Sequence, residues 1–122
     1  MTTNEIANRL VELCSNGNWQ QAQEELYGPN IESIEPAGTP WQSVKGYEAV
    51  KRKGEQWGAM MEEFYGNEIS APLTAENFFA VRMVSDVKMK DIGRISFEEL
   101  AVYEVKNGKI IKEQFFYTPG QP

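Results

Sequence analysis

The chain reads as an α+β domain: N-terminal helices packed on one face of a strongly curved, mainly antiparallel sheet. Three observations predict this. Helical periodicity is confined to the first half, where Ile6, Leu10, Leu13 and Cys14, and later Tyr47, Val50, Gly54, Trp57, Met61 and Phe64, recur on one face. Strand-like segments then follow one another through the second half. Within residues 97–117, Asn107-Gly108 separates two apolar-rich arms. Asn-Gly accepts positive φ at both centres of a type I′ turn, which marks a hairpin. Helices first and strands afterwards argue for helices segregated to one face of an antiparallel sheet.

Residues 3–16 form the first helix, opened by a capping box between Thr2 and Glu5 and stopped at Gly17. Asn18 with Gln21 offers a second capping box to a short helix that runs to Tyr27, with Trp19, Ala22 and Leu26 on one side. Gly28-Pro29 ends it. Residues 31–35 alternate as a short strand, Ile31, Ser33 and Glu35 against Glu32 and Ile34. Pro36, Gly38 and Pro40 make a loop. Ser43 is placed to cap a long helix over residues 44–63. Gly54 and Gly58 lie at its waist, each costing about 1 kcal/mol against Ala, so a close neighbour is expected there. Residues 64–73 form a strand interrupted by Gly66 and Pro72, the proline marking an edge or bulge. Residues 77–89 form a long strand, residues 91–94 turn the chain, and the hairpin completes the sheet. A sheet so twisted curls around the long helix and leaves a hollow. Residues 1–122 are expected to be one domain, with 118–122 as a frayed tail.

Composition excludes several function classes. The chain has 122 residues, 41% of them hydrophobic and 25% charged, as in soluble globular domains. The net charge of −6 disfavours nucleic-acid binding, whose affinity comes from clustered Lys and Arg. The densest basic run, Lys51-Arg52-Lys53, is balanced by Glu48 and Glu55 and reads as a solvated helix face. No apolar run is long enough to span a membrane, and the N-terminus lacks the pattern of a signal peptide. With a single cysteine, Cys14, these features point to the cytoplasm. Cys14 lies on the buried helical stripe and reads as a small core hydrophobe. There is no histidine. That rules out Ser-His-Asp and Cys-His nucleophilic sites and histidine-based metal sites. A carboxylate-only magnesium or calcium site stays open, but no spacing suggests one. No cofactor is expected.

The order of elements, with VKGYEAVKRKGEQW, FFAVRM, FEELAVYEVKNGKI and EQFFY, resembles the nuclear transport factor 2-like superfamily, and more narrowly its SnoaL-like branch, over nearly the whole chain. The resemblance implies a cystatin-like α+β roll with a conical cavity for a small, largely apolar molecule. It also implies a homodimer formed across the open face of the sheet. It leaves the activity open, because isomerases, cyclases, dehydratases, hydrolases and non-catalytic binding modules share the fold.

Side chains alternate across a strand, so each strand divides into two sets. Both sets are partly apolar, and periodicity alone does not decide which faces inward. Register against the family's steroid isomerases places Glu99, Ala101 and Tyr103 inward, together with Arg82, Glu113, Phe115 and Tyr117. The cavity would then hold Arg82 with Glu99 and Glu113 beside Trp57, Met61, Tyr103, Phe115 and Tyr117. Such a cluster either orders the sheet as a buried ion network or orients a polar group on a ligand. A one-residue slip would reverse these faces.

Residues 34–39, Ile-Glu-Pro-Ala-Gly-Thr, resemble the segment that carries the catalytic carboxylate in those isomerases, with Glu35 in the carboxylate place. A carboxylate there can take a proton from a carbon next to a carbonyl if the resulting oxyanion is stabilised. The alternative for Glu35 is a solvated loop carboxylate. The places of the isomerases' two oxyanion donors hold Leu10 and Ala101 here. Tyr103, Tyr117 or a protonated Glu99 are candidate substitutes. Two expectations result. One is an isomerase- or lyase-type enzyme with Glu35 as base and Tyr117 or Glu99 as donor. The other is a non-catalytic dimeric module that binds a ligand or partner.

Overall fold

The computed structural model describes residues 1–119. Helices α1 (Thr3–Ser15) and α2 (Trp19–Leu26) lead into strands β1 (Tyr27–Ile34) and β2 (Val44–Lys45). Helix α3 (Tyr47–Met60) follows, then β3 (Met61–Ile69), β4 (Leu73–Ala75), β5 (Phe78–Met89), β6 (Gly93–Lys106) and β7 (Lys109–Phe116). The sheet runs β2-β1-β7-β6-β5-β3, with β4 beside β5. β1 and β7 pair parallel, and every other pair is antiparallel. This is the expected α+β architecture.

Local chemistry accounts for the element ends. The Thr2 hydroxyl accepts from the Glu5 N–H at 3.1 Å, and the Glu5 carboxylate accepts from the Thr2 N–H at 2.8 Å, completing the first capping box. At the other end of α1, Gly17 takes φ +76°. Its N–H donates to the Cys14 carbonyl at 3.0 Å and that of Asn18 to the Leu13 carbonyl at 2.8 Å, a Schellman closure. Asn107 and Gly108 both have positive φ, 53° and 75°, as a type I′ turn requires.

Four expectations are corrected. Asn18 makes no side-chain cap on α2. Ser43 does not cap α3: its hydroxyl accepts from the Glu35 N–H at 2.9 Å, Val44–Lys45 pairs with β1, and Gly46 is the N-cap. The long helix stops at Met60, because Met61 turns extended and enters a strand against β5. A Cβ on Gly54 would meet the Gln23 side chain at 3.2 Å, so the close neighbour exists there, but nothing lies near Gly58. Of the proposed tail, Pro119 lies beside Gly38, and residues 120–122 fall outside the described residues.

The core lies between the helices and one face of the sheet. Ile6, Leu10 and Leu13 of α1, Leu26 of α2 and Val50 of α3 are buried against Phe79, Val81, Ala101 and Ile110 of the strands. The Phe79 and Tyr103 rings stack at 4.7 Å across β5 and β6. Register shifts break the β3–β5 pairing at Met61/Glu63 and Phe64/Gly66, and the β6–β7 pairing at Glu104/Val105. Bulges bend a strand and increase its twist. Here they fall on strands that border the cavity, with Met61 and Phe64 themselves in its lining.

Two substitutions test this account by urea unfolding. Thr2→Ala should lower stability by about 1 kcal/mol through loss of the capping box. Gly58→Ala should raise it by up to about 1 kcal/mol, because the helix gains propensity and the new methyl meets no neighbour.

Candidate functional site

The hollow is a cavity of about 220 Å³ between α3 and the inner faces of β1, β3, β5, β6 and β7. That is below the roughly 300–1,000 Å³ of drug-sized pockets, so it suits a small molecule. Cross-strand pairing fixes which face of the sheet turns toward it and the core beneath it. Phe79 faces Tyr103, Val81 faces Ala101, Met83 faces Glu99 and Ser85 faces Phe97. Across β7, Ala101 faces Phe115 and Tyr103 faces Glu113. Partners in register share a face of the sheet, so Glu99, Tyr103, Glu113, Phe115 and Tyr117 all point inward, as expected.

Arg82 does not. It pairs with Leu100, half-exposed on the opposite face of the sheet, and its guanidinium binds Glu98 in solvent. The register slip on β5 exchanges Arg82 for Met83, and the interior cation comes from elsewhere.

That cation is Lys53 of α3, the residue read as part of a solvated face. Its ammonium donates to Ser33 Oγ at 2.6 Å and to Glu35 Oε2 at 2.8 Å, and lies 5.6 Å from the centre of the Phe115 ring. The Lys53 and Glu35 side chains are only 12% and 9% exposed. Tyr117 donates to the other Glu35 oxygen, Oε1, at 2.7 Å, and its hydroxyl also lies 2.9 Å from Thr39 Oγ1. Glu35 is therefore a held carboxylate with a donor on each oxygen.

Glu113 forms the floor. It is 4% exposed and accepts from the Tyr27 hydroxyl and, at 2.7 Å, from Ser33 Oγ. The β1–β7 register sets Ser33 directly against Glu113. Burial raises the Glu113 carboxyl and outweighs the opposing hydrogen bonds from Tyr27 and Ser33 and the charge of Lys53. A continuous polar chain thus runs from Tyr27 and Glu113 through Ser33, Lys53, Glu35 and Tyr117 to Thr39.

Glu99 stands apart from this chain. It lines the cavity, and among the described residues its carboxyl has no hydrogen-bond partner. Burial pushes it up to about 8 from an ordinary 4.5, with the charges of Glu35 and Glu113 adding to the rise and Lys53 opposing it. At neutral pH it is a neutral acid able to donate a hydrogen bond. Burial raises the Tyr117 hydroxyl as well, so it too stays protonated. Burial also pushes the Cys14 thiol up to about 12, with the Glu113 charge adding to it, so Cys14 is no nucleophile. Among the described residues, no cluster of Cys, Asp and Glu is arranged to hold a metal ion.

The comparisons with known proteins agree with this fold. A family model for the SnoaL-like domain matches residues 1–117. The chain belongs to the SnoaL-like family. A solved Mesorhizobium loti protein, provisionally named a SnoaL-like polyketide cyclase, is 35% identical, with a TM-score of 0.90 over 96% of this chain and 100% of that one. Two more distant structures share the fold. A Xanthomonas campestris protein with a cystatin-like fold is 16% identical at a TM-score of 0.74, over 95% of this chain and 90% of its own. A Catenulispora acidiphila protein with a ketosteroid isomerase-like fold, solved with trimethylamine, is 14% identical at a TM-score of 0.74, over 97% of this chain and 94% of its own. No curated protein matches the chain.

Within this SnoaL-like domain the expected Trp57 and Met61 line the cavity with Glu35, Glu99, Tyr103, Glu113, Phe115 and Tyr117. Sequence reasoning missed Lys53, Tyr27, Ser33, Trp41 and Phe97. A signal for Lys53 was present: it lies three residues after Val50 and four before Trp57, on the apolar stripe of α3. Ser33 likewise alternates with buried Ile31.

Two measurements test the electrostatics. Lys53→Met leaves buried carboxylates without their cation and should cost about 3 kcal/mol near neutral pH. The deficit in urea unfolding should shrink on acidification, because protonation removes the unpaired charge. For Glu99, a carboxyl raised from 4.5 to about 8 contributes fully to stability below about pH 4.5, and that contribution is lost as the pH rises toward 8. The melting temperature of Glu99→Gln should therefore gain on wild type progressively across that interval.

Proposed function

We propose that the cavity is an acid–base site for a small, largely apolar carbonyl compound, with chemistry of the isomerase, cyclase or dehydratase type. The observation that carries this is a pair of carboxyl groups in one aromatic hollow with opposite surroundings. Glu35 is paired with the Lys53 ammonium and accepts from the Tyr117 hydroxyl, whereas burial raises the unpaired Glu99 carboxyl to about 8 and favours its neutral form. Two carboxyls in such different surroundings can divide the roles of base and acid.

In this reading Glu35 takes the proton from the carbon next to the carbonyl. The C–H electron pair forms the new C=C bond, and the carbonyl π pair moves onto oxygen. Glu99 donates a hydrogen bond or a proton to that oxygen, serving where Leu10 and Ala101 supply nothing. Tyr117 holds the orientation of Glu35 through its hydrogen bond to Oε1. Return of the proton to a different carbon gives isomerisation, and loss of a leaving group from the enol gives elimination.

A second reading, a non-catalytic dimeric binding module, is favoured by two observations. Leu10 and Ala101, at the places of the isomerases' oxyanion donors, are buried apolar core. The sheet face turned away from the helices exposes Leu73, Phe78, Leu100 and Phe116, which suits burial against a second copy of the chain. The single cysteine fits a reducing, intracellular setting.

Deuterium exchange from solvent into a small aryl ketone, followed by NMR, separates the two. The enzyme reading expects exchange above background, slowed on the order of a hundredfold in Glu35→Gln. Glu35→Gln exchanging as fast as wild type overturns that assignment. The binding reading expects saturable binding without exchange, lost in Trp57→Ala or Phe115→Ala.

A further inference from the structure

The acid–base reading leaves two features of the cavity unexplained. The first is its charge balance. Three carboxyl groups, Glu35, Glu99 and Glu113, face the hollow against one ammonium, that of Lys53. Lys53 is committed to Ser33 and Glu35, and Glu113 to Tyr27 and Ser33. Glu99 alone has no partner among the described residues and is turned into open volume.

The second is the arrangement of rings around it. Trp41 and Trp57 meet edge to face at 5.5 Å, Trp57 and Phe97 lie at 5.8 Å, and Phe97 and Tyr117 meet edge to face at 5.2 Å. Phe97 is two residues from Glu99 on the same face of β6, so the two side chains rise side by side, roughly 7 Å apart along the strand. Extending the Leu100–Phe116 pairing by one residue brings Tyr117 opposite Glu99. Ring faces attract a cation within about 6 Å of their centres, more strongly when water is excluded. The hollow already holds one ammonium this way, Lys53 over Phe115.

We propose that the cavity takes an organic ammonium ion, seated against Trp57, Phe97 and Tyr117 with the Glu99 carboxylate as its counter-ion. This does not depend on turnover. The two ligand classes use Glu99 in its two states, neutral toward a carbonyl and anionic toward a cation, so an ammonium compound competes with the carbonyl substrate.

Seating the cation requires Glu99 to lose a proton. The charged and titratable groups facing it are Glu35 from the loop after β1, Lys53 from α3, Glu113 and Tyr117 from β7, Tyr103 from β6, and Tyr27 and Cys14 deeper in the roll. The tyrosines and the thiol are held protonated by burial. Burial raises the Glu113 carboxyl too, but Glu113 is closed off by Tyr27 and Ser33, so Glu99, raised to about 8, is the carboxyl free to meet a ligand.

The test is an NMR titration with choline, whose charge does not vary with pH, and with its uncharged carbon isostere, dimethylbutanol. Choline should bind at least tenfold tighter near pH 8, and its affinity should rise by up to about tenfold per pH unit between about pH 6 and about pH 8. Glu99→Gln should abolish both the preference and the slope, and Glu98→Gln, on the outer face, should change neither. Equal binding of the two probes overturns the proposal, as does a flat pH profile or a Glu99→Gln variant that keeps the preference. Ketone exchange without choline preference removes the ammonium seat and leaves the acid–base reading. Choline preference without exchange does the reverse.

Discussion

The cavity depends on one ammonium group placed where a hydrophobic helix would ordinarily put an apolar side chain. Lys53 reaches from α3 to the sheet and joins Ser33, backed by Glu113, to Glu35 at the rim. Without it, carboxylates would be gathered in a low-dielectric hollow with no cation, an arrangement that costs several kcal/mol. With it, the helix can stand off from the sheet and leave room, because a long polar side chain spans a gap that packed apolar residues would have closed. The same ion pair decides the state of its neighbours. Lys53 is spent on Glu35 and Ser33, so Glu99 is left to be neutralised by a proton.

Much of the fold was legible in the sequence because it rests on local chemistry. Asn107-Gly108 encodes a turn that few other dipeptides accept. Thr2, Glu5 and Gly17 mark both ends of α1 whatever it packs against. The order of elements then limits the architecture. What was not legible depends on pairing between distant segments. Val44–Lys45 carries no alternation over its two residues and is a strand only because β1 lies beside it. Ser43 is a good capping residue that was drawn instead to the Glu35 N–H.

The site was legible to the same extent. Inward faces on β6 and β7 were placed correctly, since Glu99, Tyr103, Glu113 and Phe115 sit in one continuous register. On β5 the choice between Arg82 and Met83 had no local signal, because both of its faces carry apolar residues. A positive charge beside Glu99 and Glu113 was the right physical demand, met by a different residue from a different element. Lys53 was overlooked because its neighbours Lys51 and Arg52 are solvent-facing, and a run of like charges conceals the one member that turns inward.

The parallel pairing of β1 with β7 also bears on how the molecule assembles. β7 lies between β1 and β6, so the first and last strands of the chain are neighbours at the centre of the sheet. During synthesis the N-terminal strands therefore have no central partner until the C-terminal hairpin has emerged, and the floor beneath Ser33 appears only then. Long-range closure of this kind slows folding, because loop entropy is lost before the contacts that repay it can form. Until that moment the edges of β1 and β6 are unpaired backbone, open to other chains.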